Sequence, residues 1–412
     1  MNDLNLSLFA IGLLTLVLSL LSGLVKRWVY PVSEPMLAVA LGVLLGPLGL
    51  GLVSLEAWGD PKLILEQVAR LTVGVSVMST ALRLPQAYFP KHARTMASVI
   101  GPGMIMMWLV SGFLMWWLLG VPFWVAMLLG AVVTPTDPVI SGTIVTGETA
   151  EKNIPARLRH AISGEAGAND GGAYPLVFLP ILMILHPSGE ALLEWATRIL
   201  LWEVLAAVVI GYLVGYLAGR VQDWSKRKDF LETTSLFTIT VALTAVTLGG
   251  VKLIGSDGIL AAFAAGLGFN RAAGQPEEEE QANVQEAVNR LFSFPAFVFF
   301  GLALPVSAWA EVGWGVLALL AALVLLLRRL PMMAAVSPLM RPLQSHVDVL
   351  FNGWFGPIGI AAVFYAVLAA NEVGNDLIWT VGSFLVVVSI AAFGVTSTPF
   401  TLLYGRWARR SK

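Results

Sequence analysis

The side chains of this 412-residue chain that could do chemistry inside an apolar environment fall into four short stretches. They are Thr134-Pro135-Thr136-Asp137-Pro138, the run Gly164-Glu165-Ala166-Gly167-Ala168-Asn169-Asp170-Gly171-Gly172, Arg328-Arg329-Leu330-Pro331, and Asn352-Gly353-Trp354-Phe355-Gly356-Pro357-Ile358-Gly359. Each lies within a long hydrophobic segment, where a charge costs at least about 2.5–3.5 kcal/mol and so marks a pathway or a pair. A carboxylate stripped of water there holds either a proton or a hard monovalent cation, because the cation is tolerable only opposite an ionised acid. The expected chemistry is reversible ion binding, not bond making, so the chain is not read as an enzyme.

Helical geometry sorts the acids. At 100° per residue Glu165 and Asp170 lie about 140° apart, whereas Glu165 and Asn169 share a face. Asp170 projects away from both and suits an ion ligand. Glu165 is free to meet a base, and Arg328 or Arg329 is the candidate, since a buried carboxylate without a partner is several kcal/mol unfavourable. Arg328 fits the spacing slightly better. Glu203, in another apolar run, is expected at the membrane interface.

The elements that must carry these residues are interrupted helices. Pro135 and Pro138 remove backbone donors and bar the residues before them from ordinary helical geometry. Pro357 repeats the device beside Gly356. Freed carbonyls cannot face lipid; they are expected to line the ion's path and, with the Thr136 hydroxyl, to replace its hydration shell. Two interrupted helices in corresponding places of two halves point to the midplane site of a secondary transporter.

Composition agrees. Hydrophobic residues make up 57% and charged residues 12%, against roughly 25% charge in a soluble domain, and the mean hydropathy is +0.79. A water-soluble protein could not hide that much apolar surface. Disorder and a disulfide scaffold are excluded, and with 25 Lys+Arg against 26 Asp+Glu there is no basic excess for nucleic acid. The absence of cysteine removes thiol catalysis and thiolate metal sites.

A spanning helix needs about 20 apolar residues. Thirteen such segments are expected: Leu6 to Leu24, Met36 to Val53, Leu65 to Leu84, Ala97 to Leu119, Phe123 to Val145, Ile162 to Leu185, Ile199 to Ala218, Leu231 to Val251, a short ninth from Gly258 to Phe269, Leu291 to Val306, Trp314 to Val336, Leu350 to Ala369, and Leu377 to Leu403. The acidic leader MNDLN does not suit a cleaved signal peptide. With thirteen spans, 19 of the 25 basic residues fall on one side, 4 on the other (Lys62, Arg70, Arg198, Lys252), and Arg328 and Arg329 within a span. By the positive-inside rule the N-terminus is outside and the C-terminus cytoplasmic, in a multi-pass protein of the cell (plasma or inner) membrane. Glu277 to Glu280, after Pro276, read as a solvated acidic patch.

These motifs resemble the monovalent cation/proton antiporter superfamily, in its sodium/proton exchanger branch, and are closest to prokaryotic and fungal plasma-membrane sodium/proton antiporters. The resemblance rests on Thr136-Asp137-Pro138, Glu165 before Asn169-Asp170, the Arg-Pro element of the eleventh span and Trp354-Phe355-Gly356-Pro357. It implies an all-α polytopic fold of two inverted six-helix repeats, spans 1–6 and 8–13, with the broken fifth and twelfth spans crossing at the ion site. It also implies a division of labour along the chain. Residues 1–90 would serve dimerisation and 91–190 the first half of a transporting core. Residues 191–310 would hold a linker span and further dimerisation spans, and 311–412 the second core half.

By resemblance, Asp170 binds the ion and proton with Asn169 beside it, and Thr136 and Asp137 line the site. Asp170 and Thr136 would hold Na+, and Glu165 would pair with an arginine of span 11. The implied function is exchange of Na+ or Li+ for H+ by alternating access, in a homodimer, with no cofactor beyond the transported ions. Asn169 in place of a second acid points to one proton per cation and electroneutral exchange. Ala166 stands where many relatives carry a Ser hydroxyl, which leaves potassium/proton exchange as the alternative. A passive cation channel would want repeated polar filter loops, which the chain lacks.

Overall fold

The computed structural model describes residues 33–228, 236–273 and 278–410, with a few isolated positions between 5 and 16. The expected first span, Leu6 to Leu24, and the start of the acidic run at Glu277 lie outside the described residues, as do the side chains of Glu278 to Glu280. The eighth expected span is described only from Leu236, its start at residues 231–235 lying outside; over their described residues the other expected spans are helical or broken helices, and no strand occurs among the described residues.

In chain order the main helices are α1 Glu34–Leu45, α2 Pro61–Arg83, α3 Ala93–Leu119, α4 Phe123–Val132, α5 Pro138–Val145, α6 Ala156–Leu185 and α7 Ser188–Arg227. They continue as α8 Leu236–Leu253, α9 Gly258–Ala272, α10 Glu278–Leu302, α11 Val306–Val312, α12 Trp314–Leu339, α13 His346–Trp354, α14 Ile360–Val373 and α15 Leu377–Arg410. Five of these (α3, α6, α7, α12 and α15) are long and apolar enough by themselves to cross a bilayer. A sixth crossing is formed if α10 and α11 count as one span bent by 59°. The remaining segments fall short for local reasons. α2 is long enough but carries Lys62, Glu66, Arg70 and Arg83 and a polar stripe of Thr72, Ser76, Ser79 and Thr80. The second span, expected to reach Val53, stops at Leu45 because Gly46 and Pro47 end the helix. The fifth and twelfth are each split in two, α4 with α5 and α13 with α14.

Small residues set how closely these helices approach. A Cβ at Gly211 or Gly215 of α7 would strike the backbone of Ala261 or Ala265 of α9, the small-residue packing by which helices associate where no hydrophobic driving force exists between them. α6 is held in the same way. Gly167 faces Thr80 of α2 and Phe263 of α9, and Gly171 sits against Leu260 of α9.

At one end the two halves of the chain are tied by a polar cluster on Asp348, whose side chain is fully buried. Its Oδ2 accepts from Arg157 Nη1 and from the Gln344 N–H, both at 2.8 Å, and its Oδ1 from the Tyr404 hydroxyl at 2.5 Å. Arg157 belongs to the start of α6 and Tyr404 to the end of α15, so one carboxylate joins three distant segments. Burial alone would raise the Asp348 carboxyl, but Arg157, Tyr404 and the Gln344 N–H outweigh it and hold the group below the ordinary aspartate range. Asp348→Asn should lower stability by about 3 kcal/mol, because it leaves Arg157 facing a neutral partner. The depressed group stabilises fully above the unfolded aspartate value near pH 4, and that contribution disappears as pH falls through the lower folded value. Thermal unfolding in detergent, compared for wild type and variant at neutral and acid pH, should show the difference shrinking in acid.

Candidate ion-binding site

The two interrupted helices meet at their breaks. The Asp137 N–H, between α4 and α5, donates to the Pro357 carbonyl, between α13 and α14, at 2.8 Å. The Asp137 carboxylate then caps both second halves. Its Oδ1 accepts from Val139 N–H at 2.7 Å and Ile140 N–H at 2.9 Å, and its Oδ2 from Ile360 N–H at 2.5 Å. One acid thus satisfies the opening donors of α5 and of α14, where helix dipoles favour negative charge. Gly359 is required there, because a Cβ would run into the Asp137 side chain.

The opposite electrical ends are served by Arg328. Its Nη1 donates to the Val133 carbonyl and to those of Thr134 at 3.2 Å and Pro135 at 3.3 Å, and its Nη2 to the Gly356 carbonyl. A guanidinium at two helix C-termini offsets their partial negative charge. The carbonyls freed by the prolines are therefore taken up by Arg328 and by the Asp137 N–H, and not held open for a cation as the sequence led us to expect. Asp137 is likewise a structural tie whose oxygens are engaged by backbone.

Arg329, next along the chain, is the ion-pair partner. Its guanidinium makes a bidentate pair with Glu165, Nη2 to Oε2 at 2.8 Å with Nη1 on Oε1, while its Nε and Nη2 reach the carbonyl and side-chain oxygens of Asn352 at 2.9 and 3.1 Å. The slight preference for Arg328 is thus corrected. α12 is interrupted at these two residues, and the adjacent arginines turn to different tasks.

Asn169 lies on the same face as Glu165 and clamps Thr136. Its Oδ1 accepts from the Thr136 N–H at 3.1 Å and its Nδ2 donates to Thr136 Oγ1 at 2.7 Å. Asp170 projects elsewhere, as the angular argument requires. It is fully buried, and neither carboxylate oxygen has a hydrogen-bond partner. The charged group whose field bears on it is another acid, Asp137. Only its backbone carbonyl is engaged, by the Tyr365 hydroxyl at 2.6 Å. The Asp170 side chain has no exposed surface in this conformation.

The structure brings Thr136, Asp137, Asn169, Pro135, Pro138, Gly356 and Pro357 together around one crossing, with Glu165, Arg328 and Arg329 bracing it. Sequence reasoning missed Tyr365 and also Ser389, whose hydroxyl accepts from the Ile358 N–H at 2.7 Å. Tyr365 could have been flagged as the one phenol in the apolar run of α14; Ser389 gives no signal. Glu203, expected at the membrane interface, is buried within the protein between Tyr174 and the exposed Arg198.

A buried, unpartnered acid beside two crossed, internally capped half-helices defines a polytopic membrane protein of the antiporter-like multi-helix fold. The chain belongs to the sodium/hydrogen exchanger transmembrane family, whose model matches residues 13–403. It is 29% identical to a Na(+)/H(+) antiporter of Saccharomyces cerevisiae over 95% of this chain and 43% of the relative. It is 30% identical to Na(+)/H(+) antiporter 2 of Zygosaccharomyces rouxii over 89% of this chain and 46% of the relative. The chain therefore spans about half the length of these curated relatives. The fold matches the sodium proton antiporter MjNhaP1 of Methanocaldococcus jannaschii with a TM-score of 0.70 at 16% identity, covering 98% and 97% of the two chains.

Asp137→Ala should uncap α5 and α14 together and lower stability by about 1–2 kcal/mol for each cap. Asp137→Asn should fall between, since its amide can still accept from one helix but turns a donor on the other. Unfolding temperatures of purified protein check the order; an alanine variant as stable as wild type would remove Asp137 from this role.

Proposed function

We propose that the chain is a secondary active antiporter that exchanges Na+ or Li+ for H+ electroneutrally, the two ions competing for Asp170 by alternating access. The observation that carries this is the Asp170 carboxylate, fully buried with both oxygens unpartnered. Such a group is strongly unfavourable as a bare charge, so it takes a proton or a desolvated cation, and each must leave before the other binds. Its neighbours are fixed in advance: Asn169 holds Thr136, Asp137 and Arg328 hold the broken helices, and Arg329 neutralises Glu165. Thr136 is the side chain best placed to add a second oxygen, since its hydroxyl accepts from Asn169 and keeps a lone pair. The names of the fungal relatives support the ion pair exchanged.

The same reading divides the chain into a moving core, 91–190 with 311–412, and a dimerising unit, 1–90 with 191–310. The packing of Gly167 and Gly171 on α2 and α9 supports that boundary. The segregation of basic residues supports a cell-membrane protein with an outside N-terminus and a cytoplasmic C-terminus, and the exchange needs no enzymatic step. No cofactor is invoked, because the transported ions are substrates.

Asp170→Asn should abolish cation-driven proton movement in proteoliposomes and leave the unfolding temperature at or above the wild-type value, since no side-chain hydrogen bond is lost. Retained exchange would overturn the assignment. Run across lithium, sodium and potassium salts, the same fluorescence assay gives selectivity, which the missing hydroxyl at Ala166 bears on. An imposed membrane potential should leave the rate unchanged if one proton moves per cation.

A further inference from the structure

A second buried acid lies one helical turn beyond Asp170. Tyr174 follows Asp170 at i+4, so the two share a face of α6. The Tyr174 hydroxyl donates to Glu203 Oε2 of α7, and Glu203 Oε1 accepts from Arg198 Nε at 2.8 Å. The Glu203 side chain is 4% exposed, whereas Arg198 is 58% exposed and also pairs with Glu194 at 2.6 Å. A polar thread thus runs from the protein surface to the turn of helix beside Asp170.

The backbone around Glu203 is unusual in the same place. Residues Trp195–Ala206 are wound as a π-helix, a rare geometry that recurs at functional sites because it re-aims side chains. The loop before α9 folds in against it: the Asp257 N–H donates to the Glu203 carbonyl at 3.2 Å and the Ser256 hydroxyl to the Trp202 carbonyl at 2.7 Å. The short ninth span accordingly begins deep in the protein, with Leu260 against Gly171 of α6. The titratable and charged groups facing Glu203 are Tyr174 from α6, Arg198 and Glu194 from α7, and Asp257 at the head of α9, on which Lys252 of α8 also acts. Tyr365 of α14 feels Asp170, Tyr174 and Asp257 together.

We propose, resting on the exchange reading above, that Glu203 is a second proton-binding carboxylate, loaded from the surface that carries Arg198 and coupled to Asp170 through the Tyr174 hydroxyl. As Glu203 takes a proton from hydronium, an O–H bond forms on the carboxyl and water is released. The neutral carboxyl donates to Tyr174 Oη, and the Tyr174 O–H turns toward Asp170. When the tyrosine proton passes to Asp170, the Glu203 proton replaces it, so Glu203 is ionised again and Tyr174 stays neutral. One proton has moved and no charge is left on the ring. The cation, which cannot hop, needs a separate opening.

Glu203→Gln and Tyr174→Phe should slow proton-coupled exchange on the order of 10²-fold, flatten its dependence on the pH at the Arg198 face, and leave the KM for the cation unchanged. Glu203→Asp should restore part of the rate. A clamp without a proton role would instead lower the unfolding temperature and keep the pH profile, and that result overturns the proposal. An infrared pH titration of purified protein, wild type minus Glu203→Gln, reads the same site without transport. A Glu203 carboxyl band should appear as the pH is lowered through the range in which exchange is active, and its absence overturns the proposal even where vesicles exchange ions. If wild-type vesicles exchange no cation, the exchange reading fails and the infrared band alone decides whether Glu203 binds a proton.

Discussion

A chain that interrupts its helices inside a bilayer must supply partners for the backbone groups it sets free, since lipid offers none. Here that constraint is met by two charged side chains of opposite sign. Asp137 collects the opening N–H groups of α5 and α14, and Arg328 collects the closing carbonyls of α4 and the Gly356 carbonyl after α13. The crossing is stable because each ion sits where helix dipoles present the opposite charge. It is also stiff. Neither break can straighten or drift without exposing donors and acceptors that have no other partner.

This arrangement explains why so many charges can be buried around a site that needs one of them free. Asp137, Arg328, Glu165 and Arg329 are each committed, two to backbone and two to each other with Asn352. Asn169 is committed to Thr136. Only Asp170 is left without a side-chain contact. A carboxylate whose oxygens are all held by buried donors, as those of Asp137 and Glu165 are, cannot act as a switchable site, because releasing those partners would leave them uncompensated in the interior. On the proposed exchange, the bracing residues keep the local field and geometry constant while Asp170 changes its occupant.

The sequence made the outline of this site legible and left its wiring obscure. Prolines 135, 138 and 357 announce the breaks because a missing donor is a local property. The separation of Glu165 from Asp170 follows from five residues of helix and nothing else. What could not be read are contacts between segments about 200 residues apart. Arg328 and Arg329 are chemically identical neighbours, and only the way α12, interrupted at them, packs on the rest of the chain decides which meets Glu165. The carbonyls beside the prolines were expected at the cation because the sequence does not show that a guanidinium reaches them first. Ser389 lies in an apolar run where a hydroxyl more often bonds its own helix, and the partners of Glu203 could not be read because they come from α6 and its own π-wound turn.

The stiffness of the crossing restricts how the buried acid can reach water. Separating α5 from α14 would strand the Asp137 carboxylate and the N–H groups it caps, so the route is not between the broken helices. Pulling Glu165 from Arg329 would leave two uncompensated charges in the interior, at a cost of several kcal/mol for each ion. The faces that remain are apolar and glycine-lined, where α6 meets Thr80 of α2 and Leu260 and Phe263 of α9. The contacts that Gly167 and Gly171 make there are van der Waals ones, and contacts of that kind slide at small cost. Motion that exposes Asp170 should therefore carry the crossing, its two arginines and α6 as one body past α2 and α9, with the polar braces kept intact throughout.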